Sequence, residues 1–172
     1  MIADCFKKIR LLILDVDGVL TTGEVLLDSR GQEIKRFSAK DGLGIRMLQK
    51  AGIRVAIATG RSSEALRYRC AELDIELVYD GLDHKADVAD KIRAHTGIEV
   101  QHIAFAGDDL PDLPLMKRVG LAIAVADAHP VVRGRAQLVT RSAGGCGAVR
   151  EMCEHILKAQ GLWEETIQDF LQ

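Results

Sequence analysis

Short, largely apolar runs alternate along this chain with stretches of helical periodicity. Leu11-Leu12-Ile13-Leu14 is continuously apolar and stops at Asp15, which predicts a fully buried strand with a polar exit. Ile53 to Ala58, apolar but for Arg54 and ending at Thr59-Gly60, and Val100 to Ala106, apolar after Gln101-His102 and ending at Gly107-Asp108-Asp109, repeat that polar exit. Shorter runs at Glu76 to Tyr79, Leu121 to Val125 and Gln137 to Thr140 predict three more strands. Between them, Asp41 is placed to cap a helix in which Leu43, Ile45, Leu48 and Ala51 are interleaved with Arg46 and Lys50 and which Gly52 ends. Further helices are predicted over Ser62 to Leu73, Asp83 to His95, Leu113 to Arg118 and Gly147 to Ala159, with a helical turn at Val131 to Arg135. Glu24 to Leu27 and Glu33 to Phe37 flank the turn-rich Asp28-Ser29-Arg30-Gly31 and predict a β-hairpin flap beside the first strand's exit. The pattern assigns no element to the tail from Leu162 to Gln172.

Apolar strands alternating with helices imply an α/β fold, a Rossmann-like parallel sheet covered by helices on both faces. At 172 residues, the chain is read as one domain, with the hairpin flap at about 22–38 and a C-terminal tail at about 160–172. Only the hairpin and one helix separate Asp15 from Thr59, and only a helix and a strand separate Thr59 from Lys85, so no inserted cap domain is expected. Ligands of such sheets bind outside the carboxyl ends of the strands, where Asp15, Asp17, Thr59 and Asp108 fall.

Composition narrows the function classes. A formal net charge of −2 made of interspersed acids and bases leaves no basic stripe for nucleic acid. No stretch approaches the ~20 apolar residues of a membrane span, and Arg10 and Asp15 cut the first apolar run too short for a signal-peptide core. Cys5, Cys70, Cys146 and Cys153 lack Cys-x-x-Cys spacing, which fits reduced thiols and a cytoplasmic location.

Asp15, Asp17 and Asp108 come from two strand ends, and carboxylates gathered there repel one another unless a cation sits among them. Magnesium suits the set, since it takes one or two carboxylates, keeps waters and accepts a phosphate oxygen. Thr59 and the Gly60 amide offer donors to a phosphate, and Lys85 offers a charge to neutralise it. One carboxylate, Asp15, is then the candidate nucleophile on phosphorus, and Asp17 the candidate acid/base. Asp109 and Asp112 are read as holding Asp108 and capping the next helix, outside the catalytic set.

Asp15-Val16-Asp17-Gly18-Val19-Leu20, Thr59-Gly60-Arg61, Lys85 and Gly107-Asp108-Asp109-Leu110-Pro111-Asp112 stand in the order of the four motifs of the haloacid dehalogenase superfamily of phosphatases, which the chain resembles. From about Leu11 to Leu157 it is similar to the 3-deoxy-D-manno-octulosonate 8-phosphate (KDO 8-phosphate) phosphatases. Phe37, Lys40 to Arg46, Ala124 to Pro130 and Ala143 to Glu151 carry that similarity. The resemblance implies a magnesium-dependent phosphomonoester hydrolase of lipopolysaccharide precursor synthesis, working through an aspartyl phosphate. It implies Asp15 as nucleophile and magnesium ligand, Asp17 as acid/base and ligand through its main-chain carbonyl, Asp108 as the remaining ligand, and Thr59 and Lys85 as holders of the phosphoryl group. Substrate contacts are expected at Asp17, Ser38, Ala39, Lys40, Asp41, Gly42, Arg46, Gly60, Arg61, Arg69 and Lys85, and the resemblance implies that Ser38 to Gly42, Arg46, Arg61 and Arg69 are those to the sugar acid. It also implies a homotetramer formed through the hairpin, whose Val25, Leu27 and Ile34 have little of their own chain to cover them.

The chain has Thr22 where the family usually carries an acid, and Cys146 where it usually carries an arginine. These departures motivate an alternative substrate, a nine-carbon keto sugar acid 9-phosphate. Two non-catalytic alternatives share the strand-end chemistry: a phospho-acceptor module like a receiver domain, and an accessory subunit of a larger enzyme.

Overall fold

The computed structural model describes residues 2–168, 170 and 171. A short helix α1 (Ile2–Phe6) leads into β1 (Leu11–Leu14). The hairpin follows as β2 (Leu26–Leu27) and β3 (Glu33–Ile34), then α2 (Ala39–Lys50), β4 (Arg54–Ala58), α3 (Glu64–Glu72) and β5 (Leu77–Tyr79). A 3-10 turn at Lys85–Asp87 opens α4 (Val88–Thr96), and β6 (Ile103–Gly107) follows. After a 3-10 turn at Leu110–Asp112 come α5 (Leu113–Met116), β7 (Leu121–Ala124), α6 (Pro130–Arg133), β8 (Leu138–Val139), α7 (Ala148–Ala159) and α8 (Trp163–Gln168).

Six strands form one parallel sheet in the order β5-β4-β1-β6-β7-β8, and β2 with β3 forms a separate antiparallel pair. β1 is central, in register with β4 on one side (Leu14↔Ile57) and β6 on the other (Leu14↔Ala106). From β1 the chain builds outward to β4 and β5, then crosses back to β6 on β1's other flank. The carboxyl end of β1 is therefore the switch point of the sheet, where a crevice opens. All four β1 residues, and all of β6 and β7, are buried, as strands covered on both faces must be. Each buried leucine or isoleucine there contributes roughly 1.5–3 kcal/mol of transfer free energy. α2 packs on α7, α1 and α8 adjoin α7, and α5 packs on β6, β7 and the Lys85–Asp87 turn.

The sheet and helices follow the apolar pattern, with shifted edges. The α2 cap is Ser38, whose hydroxyl accepts the Asp41 amide at 3.3 Å, and Asp41 caps another helix instead. Its buried carboxylate accepts the amides of Gly147 (3.3 Å) and Arg150 (2.8 Å) at the start of α7, locking α2 to α7. Burial pushes the Asp41 carboxyl up, against the pull of those two amides. The predicted helix over Asp83 to His95 resolves into a 3-10 turn and α4, and Val100–His102 is a turn before β6. The hairpin ladder is only two residues long on each side. In the tail, α8 is held to its own chain by Trp163, over which the Lys158 ammonium lies 4.5 Å from the ring centre.

Candidate active site

Asp15 is the first residue beyond β1, and Thr59 and Asp108 hold the same place after β4 and β6. Parallel register therefore brings the three together, with Asp17, Gly60, Arg61 and Lys85, around a pocket of about 720 Å³. Gly18 makes the close approach possible. Its φ of +90° disfavours a side chain, and a Cβ there would lie 2.1 Å from Asp108 Oδ2. Behind it, Gly144 lies so close that its own Cβ would fall 1.7 Å from the Gly18 carbonyl oxygen, while the Gly145 amide donates to Val19 O at 2.9 Å. Gly144 is held in turn by Asp127, whose carboxylate accepts its amide at 2.9 Å.

Lys85 is buried and lies 2.8 Å from Asp15 Oδ1 and 2.7 Å from Asp112 Oδ1. Burial pulls its ammonium pKa down, but the Asp15 and Asp112 carboxylates outweigh that and hold it above the usual lysine range. Asp112 was read from sequence as holding Asp108 and capping, and its second oxygen does accept the Asp108 amide (2.8 Å) and the Asp109 amide (3.2 Å). Sequence reasoning missed its ion pair with Lys85. The last position of Gly107-Asp108-Asp109-Leu110-Pro111-Asp112 was the available signal.

One oxygen each of Asp15, Asp108 and Asp112 lie within 4.8 Å of one another. Burial, then the Asp112 charge, raises the Asp15 carboxyl to about 6. Burial, then the charges of Asp15 and Asp112, raises Asp108 to about 8. Crowded, dehydrated carboxyls that resist ionising fit a hard divalent cation, which would relieve their repulsion. Asp112 sets both oxygens against Lys85 and the two amides, which leaves Asp15 and Asp108 as the candidate side chains to hold such a cation.

Thr59 is buried; its Oγ1 accepts the Arg61 amide at 3.4 Å, so its hydroxyl proton is left to donate. The half-buried Asp17 points its carboxylate toward the hairpin, where Oδ1 pairs with Lys35 and Oδ2 lies 3.8 Å from Arg61 Nε. Neither Lys35 nor its neighbour Glu33 was singled out from the sequence.

The expected sugar-acid contacts divide. Arg61 and Gly60 line the pocket, whereas Ser38, Gly42 and Arg69 form a clamp outside it. Arg69 Nη2 donates to the Ser38 carbonyl at 3.3 Å, its Nη1 pairs with Glu72 at 2.8 Å, and its guanidinium lies over the Phe37 ring. Gly42 is where that guanidinium crosses α2; a Cβ there would meet it at 2.3 Å. Asp41 is committed to α7. Ala39 and Lys40 are exposed on the first turn of α2, outside the pocket lining. Arg46 lines a different cleft with Arg54 and Asp74, near the amino ends of β4 and β5, and donates to the Glu72 carbonyl.

Comparison with known proteins agrees with this geometry. Residues 76–152 match the haloacid dehalogenase-like hydrolase family. The 3-deoxy-D-manno-octulosonate 8-phosphate phosphatase KdsC of Escherichia coli strain K12 is 47% identical over 159 residues, 92% of this chain and 85% of that protein. The crystal structure of the same-named phosphatase from Moraxella catarrhalis, in complex with magnesium, phosphate and KDO, superposes with a TM-score of 0.96 at 41% identity, covering 98% of this chain and 97% of that one. A cobalt-bound form of the Haemophilus influenzae phosphatase gives 0.91 at 40% identity, covering 98% and 99%. Sequence identity of this order along nearly the whole length, on a closely superposing fold, places the chain in a family: it belongs to the haloacid dehalogenase-like hydrolases, among the 3-deoxy-D-manno-octulosonate 8-phosphate phosphatases.

Proposed function

We propose that this protein hydrolyses KDO 8-phosphate to KDO and inorganic phosphate, a step of lipopolysaccharide precursor synthesis in the cytoplasm, with magnesium as its cofactor. The observation that carries this reading is the convergence of Asp15, Asp17, Thr59, Lys85 and Asp108 on one pocket at the carboxyl ends of β1, β4 and β6. Asp15 and Asp108 would hold magnesium, joined by the Asp17 main-chain carbonyl. Bound there, the ion supplies positive charge to the phosphoryl oxygens and to the two carboxylates.

Asp15 attacks phosphorus through a carboxylate oxygen, forming an aspartyl phosphate as the bond to the sugar's O8 breaks. Asp17 gives its proton to the departing alkoxide. It then takes a proton from the water that attacks the aspartyl phosphate, so that Asp15 is regenerated and phosphate leaves. Lys85, between Asp15 and Asp112, orients the nucleophile and faces the phosphoryl charge, and Thr59 with the Gly60 amide donates to its oxygens. Arg61, at the pocket rim, is placed to meet the sugar acid's carboxylate.

The hairpin exposes Val25, Leu26, Leu27 and Ile34, an apolar face that fits packing against further copies of this chain. A homotetramer assembled there would cover the open site. Residues outside the pocket of one chain, Ser38 to Lys40, Arg46 and Arg69, would meet substrate only across such a boundary.

The test is phosphate release from KDO 8-phosphate with magnesium present, and its loss in Asp15→Asn. An Asp15→Asn variant with wild-type turnover contradicts the mechanism. The ratio of kcat/KM on KDO 8-phosphate and on a nine-carbon keto sugar acid 9-phosphate decides the substrate.

A further inference from the structure

Each aspartate of the Asp15-x-Asp17 pair has its own lysine. Lys85 serves Asp15, and Lys35 comes from the hairpin to serve Asp17. The hairpin's alternation explains how. Ile34 turns outward and is 54% exposed, while Glu33 and Lys35 on either side of it turn inward, and the Lys35 side chain is 4% exposed. Lysines are ordinarily left in water, and a dehydrated ammonium needs charged partners. Lys35 has two, Asp17 Oδ1 and, at 3.2 Å, Glu33 Oε1. Glu33 also accepts from Arg61 Nη2 at 2.9 Å, and Arg61 Nε faces the other Asp17 oxygen. Each Asp17 oxygen thus has one cation, and among the described residues the side-chain partners of this carboxylate are those two.

We propose that Lys35 is a positioning residue for Asp17, holding its carboxyl in the orientation from which it exchanges a proton with the leaving oxygen, with Glu33 steering both Lys35 and Arg61. The inference rests on Asp17 being the acid/base of the proposed reaction. A carboxyl fixed in direction spends less of its time out of line with the oxygen it serves, which is an effect on turnover rather than on substrate binding. The hairpin shares no ladder with the main sheet, so this ionic contact is also its link to the chemistry.

The experiment compares wild type, Lys35→Met, Asp17→Asn and the double variant on KDO 8-phosphate and on p-nitrophenyl phosphate, whose leaving group departs without a proton. Lys35→Met should lower kcat on KDO 8-phosphate about 10-fold or more with KM within about 3-fold, and keep the rate of the first-turnover p-nitrophenolate burst within about 3-fold. In the Asp17→Asn background, the same substitution should cause no further loss, because it acts only through the group already removed. Lys35→Gln is measured in parallel, and the result is taken from the variant that keeps the wild-type circular dichroism and melting temperature. Wild-type kcat in Lys35→Met, a rise in KM at unchanged kcat, equal loss of the burst, or losses that multiply in the double variant would each overturn the proposal. A full-rate Asp17→Asn overturns the acid/base assignment and the inference with it, whereas a full-rate Lys35→Met beside an impaired Asp17→Asn overturns the inference alone.

Discussion

Lys85 Nζ and Asp112 Oδ1 lie 2.7 Å apart, joined across 27 positions of sequence, and both side chains are buried. The pair ties the phosphate-holding lysine to the carboxylate that also carries the Asp108 amide. Asp112→Ala removes one of the lysine's two counter-charges and frees the Asp108 loop together. We expect it to cost about 3 kcal/mol in unfolding free energy, the scale of a broken buried pair. Turnover should fall at least ~100-fold, as for the loss of a preorganised charge. Urea titration and phosphate release check the two effects separately.

Metal binding should depend on pH in a defined direction. In the metal-free protein, Asp15 and Asp108 are raised to about 6 and about 8, above the ordinary aspartate value of 3.8. Acids raised on folding contribute stability that is fully present below their unfolded pKa and is lost as pH rises through the folded values. The metal-free protein should therefore lose stability across the window from about 4 to about 8. A cation that binds the ionised pair should restore it and release protons on binding. The rise in melting temperature caused by magnesium should grow between about pH 6 and about pH 8, and calorimetry in buffers of different ionisation enthalpy should register the released protons.

Gly144→Ala would set a methyl group against the Gly18 carbonyl, inside the wall of the nucleophile loop. Backbone must move on one side or the other. A destabilisation of roughly 1–3 kcal/mol is expected, with a loss of kcat larger than the loss of folded protein explains. Gly134→Ala is the control, since its Cβ would meet only ordinary contacts at 3.4 Å and beyond, and it should change stability by less than about 1 kcal/mol. Thermal melts and kcat of the two variants side by side provide the comparison.

All four cysteines are free thiols, but they differ in access. Cys146 is exposed and Cys5 half-buried; Cys70 is buried and raised to about 11, and Cys153 is fully buried and pushed up by dehydration. A disulfide reagent at neutral pH should label Cys146 first and leave Cys70 and Cys153 untouched until denaturant is added. Mass spectrometry of timed samples reads the order.

Residues whose chemistry follows from strand position were legible in the sequence. Asp15, Thr59 and Asp108 each directly follow an apolar strand, and parallel pairing then leaves them no choice but to meet. Lys35 and Glu33 were hidden because a two-residue ladder is too short to display the alternation that sends them inward. Asp41 was misread as a cap for its own helix, because its partners Gly147 and Arg150 are 106 and 109 positions away and nothing local announces them. Arg69 illustrates the same limit. A guanidinium suited to a carboxylate ligand is equally suited to a carbonyl and a phenyl ring, and only the fold shows that within one chain it lies against Ser38 and Phe37.

The buttress of Gly144 and Gly145 behind the nucleophile loop sets an order on the chain's birth. Asp15, Asp17, Thr59 and Lys85 are all synthesised before β6, the second neighbour of β1, and the two glycines that wall in Gly18 and Val19 come later still. A nascent chain should therefore carry most of its reactive side chains without a working arrangement of them, and acquire activity only as the last fifth of the sequence docks against the first.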